Sequence, residues 1–124
     1  MLTHSLKFKF LRIIKNYIVQ GGDFLNNDGT GETSIYNETC FDNENFTVPH
    51  DGPGVLSMSN ATKPNTNGCQ FFITCAPCPN LDGKYVAFGQ LKPECLYILK
   101  MIESVKEIST KPVLKIVITE CGEM

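Results

Sequence analysis

The sequence is 124 residues long, with 42% hydrophobic and 19% charged residues and a formal net charge of −2. This length allows one domain with one core, so residues 1–124 are predicted to form a single domain. A small negative charge without a cluster of Lys or Arg argues against direct binding of nucleic acid, and no apolar run is long enough to cross a membrane.

The N-terminal segment is apolar but is interrupted by cations, which makes it a poor secretory signal peptide. The interrupting residues are Lys7, Lys9, Arg12 and Lys15. We therefore expect a cytoplasmic or nuclear protein. In such a compartment the six cysteines are expected to be reduced thiols rather than a disulfide framework.

The first predicted elements are two antiparallel strands. Two apolar, β-branched runs, Leu11–Ile14 and Tyr17–Val19, flank Lys15-Asn16, which is the pattern of strands joined by a tight turn. Arg12 and Gln20 interrupt or end these runs, although packing alone requires neither. We predict that Arg12 and Gln20 face a cleft together.

The middle of the chain is predicted to form short strands separated by turns, and one helix follows. The polar segment Asn26–Ser34 is a structural loop, because it lacks the lysine of a phosphate-binding loop and the ligands of a calcium loop. Apolar residues three apart predict a helix over 94–105. The other predicted segments are an irregular stretch with one helical turn at Ile35–Phe46, strands at Val55–Ser59, Gln70–Thr74, Tyr85–Gly89 and Val113–Thr119, and a loop at Cys75–Gly83.

This succession of short strands, Gly/Pro turns and one late helix favours a mainly β fold, either a barrel or a sandwich with a helical cap.

Three familiar kinds of site are disfavoured by the sequence. Cys75 and Cys78 form half of a zinc pattern but lack a second pair of ligands. As a redox pair they should begin a helix, and Pro77 and Pro79 prevent that; a thiol oxidoreductase remains an alternative that requires a low thiolate pKa. Nucleophilic hydrolysis lacks support, because no Gly-x-Ser-x-Gly motif occurs and nothing places a histidine beside Ser or Cys with an acid.

What remains is a set of neutral polar groups and one arginine beside apolar side chains. The polar group comprises Arg12, Gln20, Asn60 and Gln70, and the candidate pocket comprises Tyr17, Ile18, Phe72, Leu81 and Tyr85. The competing interpretation is that the aromatic residues belong to the core, which is favoured for Phe72 taken alone. Such a site holds an extended peptide or serves a reaction that needs only charge redistribution.

Several motifs in this order resemble the cyclophilins, from about Phe8 to the end of the chain. They read FLRII, QGGDF, NDGTG, SIY, ENF, GPGVLSMSN, NTNGCQFFIT and LDGKYVAFG. Within that family, CQFFITC and CGEM are most similar to the H-type cyclophilin of the spliceosome.

The resemblance implies an antiparallel β-barrel with capping helices, of which the helix near 94–105 remains, and peptidyl-prolyl cis-trans isomerase activity. It implies that Arg12 is catalytic and that no metal or cofactor is needed. The implied partners are proline-containing peptides or proteins, a cyclosporin-type ligand and a ribonucleoprotein. The substrate-binding residues carried over are Tyr17, Ile18, Phe72, Leu81 and Tyr85 for the proline pocket, Gln20, Asn60 and Gln70 as holders, Gly29, Ser59 and Ala61 for the adjoining groove, and Asn80.

The chain departs from the family pattern in four places. Tyr17 replaces a usual Phe, Lys15-Asn16 replaces a Pro-Gly turn, and Tyr85 replaces a His. Asn80 stands where many members carry Trp, which weakens the expected binding of cyclosporin. The family's first two strands and first helix have no counterpart, so we expect an N-terminally truncated, open barrel with unpaired strand edges. The alternative to an enzyme is a catalytically weak or inactive binding module in a larger assembly.

Overall fold

The computed structural model describes residues 8–36, 38–60 and 63–121. Over these ranges the protein is mainly β, as predicted. The strands are β1 Phe8–Lys9, β2 Arg12–Ile14, β3 Ile18–Gly21, β4 Val55–Met58, β5 Phe71–Thr74, β6 Ala87–Gln90, β7 Glu107–Ile108, β8 Lys111–Pro112 and β9 Val117–Ile118; the α-helix is α1 Leu96–Glu103, and 3-10 turns cover Pro79–Leu81 and Pro93–Cys95.

A five-stranded antiparallel sheet is the centre of the fold, with the strand order β2-β3-β5-β4-β6. Its register places Ile13, Val19 and Ile73 in one row across three strands. Arg12, Gln20 and Phe72 form the neighbouring row. Since successive residues of a strand point to opposite faces, the sheet separates an apolar core face from a second face that carries the arginine and the amide.

The main core lies between the first of these faces and helix α1. Phe10, Ile13, Val19, Ile73 and Leu99 form one buried cluster. Leu99 is 3% exposed, so its side chain contributes roughly 2 to 3 kcal/mol by leaving water. The apolar spacing that predicts the helix is therefore the spacing that attaches it to the sheet.

The turn between β2 and β3 forms without the Pro-Gly pair of the family. Asn16 has a φ of 62°, a left-handed conformation that asparagine tolerates better than most residues. The backbone N–H of Tyr17 donates to the carbonyl of Ile14 at 3.0 Å. Asn16 therefore supplies the tight connection that the sequence predicts.

The largest differences from the predicted bounds are at the helix and at the last strand, both of which are shorter than expected. The helix begins at Leu96 and ends at Glu103 rather than covering 94–105, because Pro93 opens a 3-10 turn and Ser104 caps the helix. The predicted strand Val113–Thr119 is reduced to Val117–Ile118, which in the described ranges pairs with the two-residue strand β1. A strand extends no further than its partner allows.

The segment 35–46 contains no helical turn in its described residues, which corrects that prediction. Its one sheet-like contact is an isolated bridge from Phe41 to Asn67. The predicted loop Cys75–Gly83 contains the 3-10 turn Pro79–Leu81, which begins at a proline with a fixed φ.

The central sheet does not close into a barrel. In the described ranges β6 pairs with β4 on one side only, and β1 with β9 and β7 with β8 form separate two-stranded sheets. Phe88, on this open strand, is 55% exposed. The open arrangement of strands that the sequence predicts is therefore present in the described ranges. No helix within the described parts of the chain is long and apolar enough to span a bilayer.

Candidate active site

A cleft of about 330 Å³ lies on the sheet face opposite the main core. It brings together most of the site residues predicted from the sequence. These are Arg12, Tyr17, Ile18, Gln20, Gly29, Ser59, Gln70, Phe72, Leu81 and Tyr85. The lining also includes Ile14 and Glu32, which the sequence analysis did not name as site residues. Ile14 could have been found, because it lies two residues after Arg12 on the same strand and therefore points to the same face of the sheet. No pattern in the sequence indicated Glu32.

Asn60 and Asn80 line an adjoining cavity of about 580 Å³, which shares Tyr17, Leu81 and Tyr85 with the cleft. Asn60 is buried and donates through Nδ2 to the carbonyl of Lys84 at 2.9 Å. Asn80 is exposed and donates through Nδ2 to the Tyr17 hydroxyl at 3.2 Å. The remaining predicted residue, Ala61, lies outside the described residues.

The polar wall of the cleft starts with a cross-strand pair. Arg12 and Gln20 face each other across β2 and β3, and the guanidinium donates through Nη1 to Gln20 Oε1 at 3.5 Å. This distance is at the long limit of hydrogen bonding. Within the described ranges Arg12 forms no ion pair within 4 Å. Gln20 thus orients the guanidinium without neutralising its charge.

Gln20 is itself held by two neighbours. Its Nε2 donates to Gln70 Oε1 at 3.2 Å and to Ser59 Oγ at 3.4 Å. Gln70 is buried, and its Nε2 donates to the carbonyls of Gly29 and Gly31 at 2.9 and 3.0 Å. The loop carrying these glycines therefore positions the amides that position Arg12.

Asp23 organises that loop. It is 1% exposed, and its carboxylate accepts hydrogen bonds from the backbone N–H groups of Leu25, Asn26, Asp28, Gly29 and Gly31. Burial would raise the pKa of Asp23, but the backbone donors outweigh it and hold that pKa far below its usual range. The loop thus has a structural role, as predicted, and this role extends to the cleft.

The apolar wall is a second cluster, separate from the main core. Ile18, Phe72, Cys78 and Leu81 are buried in it, with Ile14, Tyr17 and Tyr85 packed against them. The Phe72 ring meets that of Tyr85 edge-on, with centroids 5.4 Å apart. Phe72 is only 3% exposed, yet it lines the cleft. Phe72 is therefore both a buried packing residue and part of the floor of the cleft.

A Ser–His–Asp arrangement lies beneath this wall, which corrects the expectation that neither histidine lies beside a serine and an acid. His50 Nε2 is 2.8 Å from Ser57 Oγ, and His50 Nδ1 is 2.8 Å from Asp82 Oδ1. His50 and Ser57 are both 0% exposed. The three residues come together only in the tertiary fold, so no local sequence motif predicted this arrangement. Because a substrate cannot reach Ser57, the geometry does not support hydrolysis.

The thiol pair does not meet the requirement of an oxidoreductase. Burial raises the pKa of Cys75 to about 12, and the negative charge of Glu103 adds to the shift. Burial also raises the pKa of Cys78. A reactive cysteine needs the opposite shift. Among the described residues no group of three or more His, Cys, Asp or Glu could hold a metal ion.

Comparison with known proteins places the chain in a family. The model of the cyclophilin type peptidyl-prolyl cis-trans isomerase family matches residues 4–123. The chain belongs to this family.

The similarity to individual relatives extends over nearly the whole chain. It is 55% identical over 117 residues to peptidyl-prolyl cis-trans isomerase CYP22 of Arabidopsis thaliana, which covers 94% of this chain and 58% of that protein. It is 53% identical over 115 residues to peptidyl-prolyl cis-trans isomerase H of Mycosarcoma maydis, which covers 93% of this chain and 72% of that one. The chain thus spans little more than half the length of its Arabidopsis relative.

Two crystal structures of a Cryptosporidium parvum cyclophilin share the fold. One aligns with a TM-score of 0.81 at 40% identity, covering 90% of this chain and 70% of that one. The other was obtained in the presence of the dipeptide Ala-Pro and aligns with a TM-score of 0.84 at 39% identity, covering 94% and 74%.

Proposed function

We propose that this chain catalyses cis-trans isomerisation of X-Pro bonds in peptides and proteins. One observation carries the proposal: the Arg12 guanidinium and the Gln20 amide lie on the polar wall of a cleft whose other wall is the Phe72 cluster. An apolar ring fits the second wall, and the bond preceding that ring then lies near the arginine.

The chemistry needs no acid, base or nucleophile. Rotation about X-Pro has a barrier of about 18–20 kcal/mol because the C–N bond is partly double. Twisting it breaks the resonance and leaves a lone pair on the proline nitrogen. A cation directed at that nitrogen stabilises the twisted state more than either planar state. A rate gain of about 10⁶ corresponds to roughly 8 kcal/mol, which Arg12 shares with the groups that hold the peptide.

The peptide is held by the neutral groups around the arginine. Gln20 and the backbone of Asn60 supply donors and acceptors for substrate amides and carbonyls. Gly29 and Ser59 shape the groove for residues preceding the proline. The relative crystallised in the presence of Ala-Pro supports a proline-containing peptide as the ligand class.

Replacing Arg12 tests the proposal. Arg12→Ala is expected to lower kcat/KM on an Ala-Pro-type peptide by about 10²-fold or more, because one preorganised donor at a developing charge is worth that much. Lys15→Ala removes an exposed cation from the same hairpin and should leave activity within twofold. Equal activity in Arg12→Ala and the unmodified chain would refute the role of Arg12.

We also propose a ribonucleoprotein as the partner of this chain. The proposal is supported by the H-type resemblance of CQFFITC and by relatives named isomerase H. Capture of a ribonucleoprotein from an extract by both the unmodified chain and Arg12→Ala would favour a binding module. Capture of none would exclude this partner.

We propose a cytoplasmic or nuclear location. The proposal is supported by the cysteines Cys40, Cys69, Cys75, Cys78 and Cys95, which form no disulfide among the described residues, as expected of thiols in a reducing compartment. Imaging of the tagged chain tests this, and localisation to a secretory compartment would contradict it.

A further inference from the structure

His50 is a fully buried ring that the proposed isomerisation does not use. It is 0% exposed, and both of its ring nitrogens have partners 2.8 Å away. A buried polar group is costly unless its hydrogen bonds are satisfied, and a fully satisfied one rigidifies the elements that it joins. His50 connects two parts of the protein.

On one side His50 is bound to the turn Pro79–Leu81. Its backbone N–H and its Nδ1 both contact Asp82 Oδ1, at 2.7 and 2.8 Å, and Asp82 caps that turn. The N–H of Cys78 donates to the His50 carbonyl at 2.8 Å. These hydrogen bonds hold both ends of the turn, and the turn places Leu81 in the lining of the cleft.

On the other side His50 is bound to the central sheet. Its Nε2 lies 2.8 Å from Ser57 Oγ on β4. Its ring is stacked beneath that of Phe72, with centroids 6.0 Å apart and an interplanar angle of 23°. Ser57 and Phe72 are cross-strand partners in the sheet, so His50 is fixed to the strands that form the cleft floor.

We propose that His50, through Asp82, is a positioning residue that sets the separation between Phe72 and Leu81 and so the shape of the proline pocket. The inference rests on the proposed function, because it assigns the pocket to proline. Asp82 accepts and cannot donate when ionised, so Nδ1 carries the ring proton in this contact. Hydrogen bonds from the backbone and side chain of His50 lower the pKa of Asp82, which keeps it ionised.

Asp82 is the place to break the connection, because its side chain is 39% exposed whereas that of His50 is fully buried. Asp82→Ala is expected to raise KM for an Ala-Pro-type peptide about fivefold to tenfold, by loss of a charge-assisted contact, with kcat changed less than about twofold because Arg12 is untouched. Asp82→Asn retains an oxygen acceptor and should restore most of the loss. Asp51→Ala, at a neighbouring exposed carboxylate, should change nothing.

Binding and NMR measurements separate this inference from the proposed function. Asp82→Ala should abolish the protected imidazole N–H signal of His50, weaken the nuclear Overhauser contacts between Phe72 and Leu81, and raise the Kd of the dipeptide Ala-Pro. Loss of the imidazole signal with unchanged KM, Kd and ring contacts would overturn the inference. A chain without isomerase activity would end the proposed function, and the Kd and ring contacts would still decide the role of His50.

Discussion

At the scale of single residues, Asp23 is the side chain on which the polar wall of the cleft depends. Its carboxylate binds the loop amides, and the loop carbonyls of Gly29 and Gly31 hold Gln70. A Cβ at Gly31 would collide with the Asp23 carboxylate, so glycine is required there. Asp23 is thus connected to Arg12 through four successive hydrogen bonds, by way of the loop glycines, Gln70 and Gln20.

The lowered pKa of Asp23 predicts how the free energy of unfolding changes in acid. Its pKa is lowered on folding, so its contribution is fully present above the unfolded value of about 4 and is lost as pH falls toward the native value. The free energy of unfolding should fall by about 2 kcal/mol between pH 4 and pH 2, because one proton taken up on unfolding is worth about 1.4 kcal/mol per pH unit. Urea titrations at several pH values measure this.

Asp23→Asn is the comparison. It should be less stable at pH 7 and lose less stability over the same acid range, with the remaining loss due partly to Asp82, whose pKa is also lowered. An acid dependence identical to that of the unmodified chain would show that Asp23 is not the group responsible.

Asn80 predicts a difference in ligand affinity from family members that carry Trp at this position. It is exposed beside the Tyr17 hydroxyl and offers little apolar surface to a large ligand. Asn80→Trp should strengthen binding of cyclosporin by about tenfold or more, because an indole adds a large contact area and one N–H donor. Calorimetric titration of both chains measures the affinity, and equal affinities would contradict the prediction that Asn80 weakens cyclosporin binding.

Single residues also show why sequence reasoning succeeded in one place and failed in another. Arg12 and Gln20 are eight positions apart in a hairpin, so strand alternation and a tight turn place them together. His50, Ser57 and Asp82 meet only because the turn Pro79–Leu81 and the interior strand β4 pack against His50 in the folded chain. The spacing of these residues along the sequence does not predict their contacts.

At the scale of elements, helix α1 is the structural support on the far side of the sheet from the cleft. Leu99 is buried in the cluster with Ile13 and Val19, one residue along β2 and β3 from Arg12 and Gln20. The three-residue apolar spacing predicted this helix, but its ends depended on Pro93 and the cap at Ser104. The length of β9 could not be predicted, since it depends on a partner strand of only two residues.

Leu99→Ala tests this support. It should lower the free energy of unfolding by about 2 to 5 kcal/mol, the range for a truncated buried leucine. Met101→Ala, at a position 62% exposed on the same helix, should cost less than about 1 kcal/mol. Chemical denaturation of both variants gives the comparison, and equal losses would contradict the assigned packing.

At the scale of the whole molecule, a cleft that contains most of the predicted site residues lies on a sheet that does not close in the described ranges. The resemblance predicted both the cleft, whose motifs lie within the chain, and an open sheet. In the described ranges β6 has one strand neighbour, and exposed apolar side chains such as Phe88, Ile35 and Tyr36 surround a groove beside it. An edge of this kind promotes association between chains.

The central claim is that this chain folds and isomerises X-Pro bonds through the cleft around Arg12. The most direct test is to follow the cis-trans exchange rate of an Ala-Pro peptide by NMR while the same sample is titrated with urea and its folding is monitored by circular dichroism. The account predicts acceleration in the absence of urea that falls in proportion to the folded fraction, to about half at the midpoint of a single cooperative unfolding transition, and disappears when unfolding is complete. A folded, cooperatively unfolding chain that leaves the exchange rate unchanged would contradict it.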